Sequence, residues 1–202
     1  MVALRRKNTL EQTGFALTEG GFSYRGQAHR LEDVVETARL RQRLETRHLL
    51  VGSEFTHSIS VVFSMKTGEK VQLTEHPTLF FNSRAAHVER IDEIFNAVSE
   101  RTFQGRLQKY LTQLQTQQFF EYSGWQFHPG TQTVVDSETK QMYSTRSAKF
   151  LRSFGFIEVR EGPDGFGAAI DRTFGGRVGI NTLRDTDVLF ALLSKFFGLA
   201  WP

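Results

Sequence analysis

The chain has 202 residues, 25 Lys plus Arg against 22 Asp plus Glu, a formal charge of +3 and 39% hydrophobic residues. That length suits two domains of about 100 residues, and the composition excludes the disordered and fibrous classes. With no Cys, disulfides, thiolate nucleophiles and thiolate zinc sites are excluded, and a reducing cytoplasm is the expected setting.

The start carries Arg5, Arg6 and Lys7 but no apolar run behind them, so no signal peptide is expected. Phe15 to Leu17, Phe22 to Arg25 and Ala28 to Leu31 are short apolar or alternating pieces set between glycines, which tolerate the positive φ of tight turns. They predict hairpin strands. In Glu36 to Thr46, Ala38, Leu40 and Leu44 share one parity while Arg39, Arg41 and Arg43 share the other, the pattern of a half-buried strand. The rival reading is a helix from Leu31 to Glu45, on the spacing of Leu31, Val34, Val35 and Ala38.

Ser58 to Thr74 reads as an antiparallel hairpin, with Ile59, Val61 and Phe63 alternating in, Lys66 to Glu69 turning, and Val71 and Leu73 alternating back. Pro77 ends it, and Asn82 or Ser83 is placed to cap a helix over about 84–118, some 50 Å long at 1.5 Å per residue. Its apolar stripe changes midway. Val88, Ile91, Ile94, Phe95 and Val98 form one set; Phe103, Leu107, Tyr110, Leu111 and Leu114 form another, displaced around the axis near Gly105, where a break is the alternative.

Strand texture returns in Gly124 to Phe127, Gln132 to Asp136, Lys140 to Ser144, Phe154 to Arg160 and Ala168 to Leu183, with a turn at Gly175 and Gly176. Thr182 with Asp185 has the spacing of a capping box. It precedes a closing helix over about 184–198, whose apolar face is Val188, Leu189, Leu192, Leu193, Phe196 and Phe197 and whose stop is Gly198. Ser194 and Lys195 interrupt that stretch, and it is far shorter than the roughly 20 residues that span a bilayer.

Three offsets near one hundred residues suggest an internal repeat: Gly21-Phe22-Ser23-Tyr24 against Gly124-Trp125-Gln126-Phe127, the Gly68 turn against Gly175 or Gly176, and helix starts near Arg84 and Arg184. The expected fold is α+β, two similar antiparallel β-meander or half-barrel units over residues 1–120 and 121–202, each closed by an amphipathic helix. With Gly21 to Gly26 leading into Leu31-Glu32-Asp33-Val34, the hairpin at Lys66 to Lys70 and the helix from Ala85, the chain resembles tandem bacterial pleckstrin-homology-like (PH-like) proteins. The resemblance implies an adaptor that binds lipids, peptides or subunits, and fold alone does not choose among them.

Few residues suggest chemistry. On a strand, Arg39, Arg41 and Arg43, continued by Arg47, present guanidiniums suited to phosphate, an anionic lipid surface, nucleic acid or an acidic partner, although Glu36 and Glu45 partly neutralise the row. Trp201 beside Phe196 and Phe197 offers an aromatic anchor for a partner, or closes the second core. No two of the six His lie four residues apart, so no helical metal pair is expected. Gly162 to Gly167 lacks the Lys-Ser/Thr ending of a phosphate loop and reads as a turn, while Asp185 and Asp187 read as first-turn helix acids. The expectation is a non-enzymatic binding or scaffold module, without cofactor or metal, docking a protein partner or itself. An anion-directed module is the alternative, and an enzyme comes third.

Overall fold

The computed structural model describes residues 14–48, 52–75, 85–153, 155–160 and 179–199. The chain divides into two compact units, Met1–Arg106 and Leu107–Pro202, where the sequence placed the boundary at 120/121. The described residues form small antiparallel sheets and two α-helices, a mixed α+β architecture in which no sheet closes into a barrel.

In unit 1, β1 (Phe15–Leu17), β2 (Gly21–Tyr24) and β3 (Gln27–Arg30) form a meander. A 3-10 turn at Leu31–Asp33 leads into a second meander of β4 (Val34–His48), β5 (Gly52–Met65) and β6 (Lys70–Glu75). Helix α1 (Ala85–Gln117) follows. It runs unbroken through Gly105, which is exposed and meets nothing within 4 Å of where a Cβ would stand. The expected cap at Asn82 or Ser83 and the stop at Pro77 lie outside the described residues.

The unit 1 core forms where strand alternation meets the first helical stripe: Ile59, Val61, Phe63, Val71 and Leu73 are buried together with Val88, Ile91, Ile94, Phe95 and Val98. Aromatic rings fill it, Phe22 lying 5.2 Å from Phe15 and 5.7 Å from Phe63, and Phe63 6.3 Å from Phe95. Gly21 is required where β2 passes β3, because a Cβ there would stand 2.4 Å from the His29 carbonyl oxygen.

Segment 36–46 is a strand, as its parity indicated, but its faces are reversed. The β4–β5 register shifts between Val34 and Glu36, a one-residue bulge that moves the core face from even to odd positions. Thr37, Arg39 and Arg41 therefore pair with buried Phe63, Val61 and Ile59, whereas Ala38 and Leu40 lie on the other face with Val62 and Ser60. Glu36 joins that other face, where it accepts a hydrogen bond from Ser64 at 3.3 Å, so it is not on the Arg face at all.

Unit 2 contains a four-stranded meander, β7 (Phe120–Tyr122), β8 (Trp125–His128), β9 (Thr133–Asp136) and β10 (Met142–Ser144). A three-stranded one follows, β11 (Lys149–Ser153), β12 (Phe156–Arg160) and β13 (Gly179–Asn181), and then helix α2 (Thr186–Phe197). Strands β7 and β11 were not anticipated. Gly162 to Gly167 and the turn at Gly175 and Gly176 lie outside the described residues. Phe120 stacks on Phe127 at 4.7 Å, and Val188, Leu189, Leu192 and Leu193 of α2 are buried.

The expected capping box is absent. Thr182 is buried with its amide donating to the Gly155 carbonyl, and the N-cap is Asp185, left-handed at φ 40° and without a side-chain cap bond. The buried Asp185 carboxylate accepts from the Tyr110 hydroxyl at 3.2 Å instead. Gly198 ends α2 in the left-handed conformation, as expected. Of the second stripe of α1, only Tyr110 is fully buried; Phe103, Leu107, Leu111 and Leu114 are half-buried.

Candidate functional site

At one end of the β4–β5–β6 sheet the cross-strand ladder turns from apolar to charged. Thr37–Phe63–Val71 gives way to Arg39–Val61–Leu73 and then to Arg41–Ile59–Glu75. Helix α1 meets this end with Asp92, one residue beyond Ile91 on the flank of the apolar stripe. The Asp92 carboxylate accepts from Arg39 Nη1 at 2.8 Å on one oxygen and from Arg41 Nη1 at 3.0 Å on the other. Asn96 Oδ1 accepts from Arg39 Nη1 at 3.0 Å, and the Arg39 guanidinium lies 4.6 Å from the centre of the Phe95 ring. His87 Nδ1 stands 3.6 Å from a Glu75 carboxylate oxygen.

Two guanidiniums thus share one carboxylate. Their side chains keep 38% and 46% exposure while Asp92 keeps 17%, so the acid is the enclosed member and the cations form the outer lip. The register continues without a further shift to His48, which places Arg43, Glu45 and Arg47 at the same parity as Arg39 and Arg41. Among the described residues β4 is paired only by β5; no strand pairs its outer edge.

The other sequence-derived candidates fall differently. Phe197 is buried and meets Phe127 edge-on at 6.1 Å, so it closes the unit 2 core and leaves little ring for a partner. Trp201 lies outside the described residues. Asp187 sits in the first turn of α2, as expected of a helix acid. Among the described residues, no group of three or more His, Asp or Glu is placed to hold a metal ion.

Several polar features escaped the sequence reading. Arg106 is almost fully buried on α1, donating to Ser99 O at 2.7 Å, Ser99 Oγ at 2.8 Å and Thr102 Oγ1 at 3.1 Å. The ring of His29 lies 5.1 Å from Phe22 with Nδ1 3.9 Å from a Glu69 oxygen. A shallow groove of about 760 Å³, lined by Leu17, Gly20, Leu31 and Glu32, is bordered by Arg101, whose Nη1 donates to Thr18 O at 2.6 Å. Asp136 begins the β9–β10 turn. The Glu138 amide, at 2.9 Å, leads the hydrogen bonds that hold its carboxyl below the usual aspartate pKa, burial opposing; the Thr139 hydroxyl and amide and nearby Lys140 add to the lowering. Only Asp92 carried a usable signal: an acid beside an apolar helical stripe, in a chain with an alternating Arg strand.

No family model, no curated protein and no solved structure matches this chain. No described helix is long and apolar enough to cross a membrane.

Proposed function

We propose that this chain is a non-enzymatic binding or scaffold module that docks a protein partner, and that the docking element is the outer edge of β4. The observation that carries the reading is a fifteen-residue strand paired on one side only among the described residues. An open edge is a row of backbone donors and acceptors, and an extended segment of another chain can add to it as a further strand. Among the described residues each unit runs meander, second meander, helix, an order that supports PH-like units, with three plus three strands described in the first and four plus three in the second. The cytoplasm is the setting that goes with this reading.

Amide hydrogen exchange tests it. A partner recovered by native purification should slow exchange along β4 when added back to the pure chain, and slowing confined to other elements would overturn the choice of edge. The anion-directed alternative draws on the same Arg row. Arg39 and Arg41 are already engaged by Asp92.

A further inference from the structure

We propose that a second copy of this chain docks on the outer face of the β4–β5–β6 sheet, the two sheets stacking face to face about a two-fold axis along β5. This surface is not the edge of β4, and the proposal does not depend on the edge-docking reading. The buried core of unit 1 takes only odd positions of β5 and β6. The even positions, with Glu36, Ala38 and Leu40 of β4, make the opposite face. They fall in cross-strand rows, Glu36–Ser64–Lys70, Ala38–Val62–Gln72 and Leu40–Ser60–Thr74, half-buried except for exposed Lys70 and Gln72.

Two observations fit this face to its own copy. Its neutral polar groups are bonded to one another: Gln72 Nε2 donates to Ser60 Oγ at 3.3 Å and to Thr74 Oγ1 at 3.1 Å, and those two hydroxyls lie 3.3 Å apart. Covering them therefore costs less than covering unpaired donors and acceptors.

The second observation is the placement of charge. Among the described residues, these rows carry one acid and one base, Glu36 and Lys70, in the same row and on opposite outer strands. A two-fold along β5 lays β4 of one copy over β6 of the other without shifting the rows lengthwise. Glu36 then stands over the second copy's Lys70, and Lys70 over its Glu36. Glu36 also accepts the Ser64 hydroxyl at 3.3 Å, and a carboxylate takes several such bonds at once. Val62 and Ser60 meet their own counterparts at the axis. A two-fold across the strands would instead set Glu36 against Glu36 or against a neutral row. The turn beyond the charged row directs its charges within the chain, Lys66 Nζ lying 3.6 Å from Asp33 and Glu69 3.9 Å from His29 Nδ1.

Sheets stacked in this way lie about 10 Å apart with their strands within about 30° of parallel. The rows cover roughly 14 Å by 20 Å, well short of the about 800 Å² that each partner gives to a standard interface, so the pair is weak and transient.

The test is sedimentation equilibrium of the full chain at low salt, over about 0.02 to 1 mM so as to reach a weak dissociation constant. The wild type should dimerise reversibly. Glu36→Lys and Lys70→Glu should each weaken the dimer by about tenfold or more, because each sets two like charges face to face. Mixed one to one, these two variants should pair with each other about as tightly as the wild type, since both contacts of the mixed dimer again join opposite charges. Recovery on mixing also shows that both variants are folded. Val62→Lys, which brings two ammoniums together at the axis, should weaken the dimer further, with circular dichroism checking its fold. A wild type that stays monomeric throughout overturns the proposal. So does a dimer that the single variants leave unchanged, or one that mixing them fails to restore. The edge of β4 is judged separately, by the exchange experiment.

Discussion

Asp92→Ala should destabilise unit 1 by about 1–2 kcal/mol. The residue accepts two N–H···O bonds, at 2.8 and 3.0 Å, from guanidiniums that remain more than a third exposed. Hydrogen bonds to charged groups contribute roughly 1.5–3 kcal/mol when desolvated, and exposed ion pairs about 0–1. Solvent screening places each of these near the upper end of the exposed range. The variant also leaves two guanidiniums on one strand face about 6.7 Å apart, a repulsion of about 0.6 kcal/mol at the dielectric of water. Urea unfolding followed by circular dichroism reads the loss. Asp92→Asn, which keeps an acceptor but not the charge, should lose about half as much. A double-mutant cycle with Arg41→Ala should give a coupling of about 0.5–1 kcal/mol that shrinks in 1 M salt, where the screening length is about 3 Å. A change of less than about 0.3 kcal/mol for Asp92→Ala, inside the usual spread of surface substitutions, would refute the claim that this bridge holds β4 to α1.

Gly105→Ala should stabilise the chain by about 0.5–1 kcal/mol in the same unfolding assay, since the helix is continuous there and the added methyl enters open space. Gly21→Ala should cost about 1–3 kcal/mol, because its Cβ cannot share the 2.4 Å to the His29 carbonyl without moving β2 from β3. For Asp136 the folded carboxyl titrates below its unfolded value. Its contribution is therefore present above the unfolded pKa of about 3.9 and lost as pH falls through the lower folded value. The stability difference between the wild type and Asp136→Asn, measured by urea unfolding across pH 2 to 6, should vanish at the acid end.

What was legible followed from local periodicity. The hairpin around Gly68, the long helix and the closing helix each repeat their apolar residues at the spacing their structure requires, and all three form where expected. The faces of β4 were not legible, because the bulge beside Val35 is one residue long and leaves no mark in composition, yet it exchanges the Arg and Leu faces of everything after it. Strands β7 and β11 span three and five residues, too short for alternation to stand out from loop. Thr182 and Asp185 had the right spacing for a cap, but the Thr182 amide is taken by Gly155 and the Asp185 carboxylate by Tyr110, partners distant in sequence. Asp92 left a local sign, an acid on the flank of the apolar stripe, but its pairing was not legible, because its arginines lie more than fifty positions upstream.

The aromatic filling of the two cores has an optical consequence. Both tryptophans of the chain, Trp125 and Trp201, belong to unit 2, whereas unit 1 is packed with Phe and carries no indole. Trp125 is buried with its ring 5.8 Å from Tyr143, so its emission reports the packing of that unit. Excitation at the red edge of the tyrosine band therefore watches one unit unfold and is blind to the other, while circular dichroism sees both. Superimposed traces from the two methods would mark one cooperative transition, and separated traces would time the units independently within a single unlabelled sample.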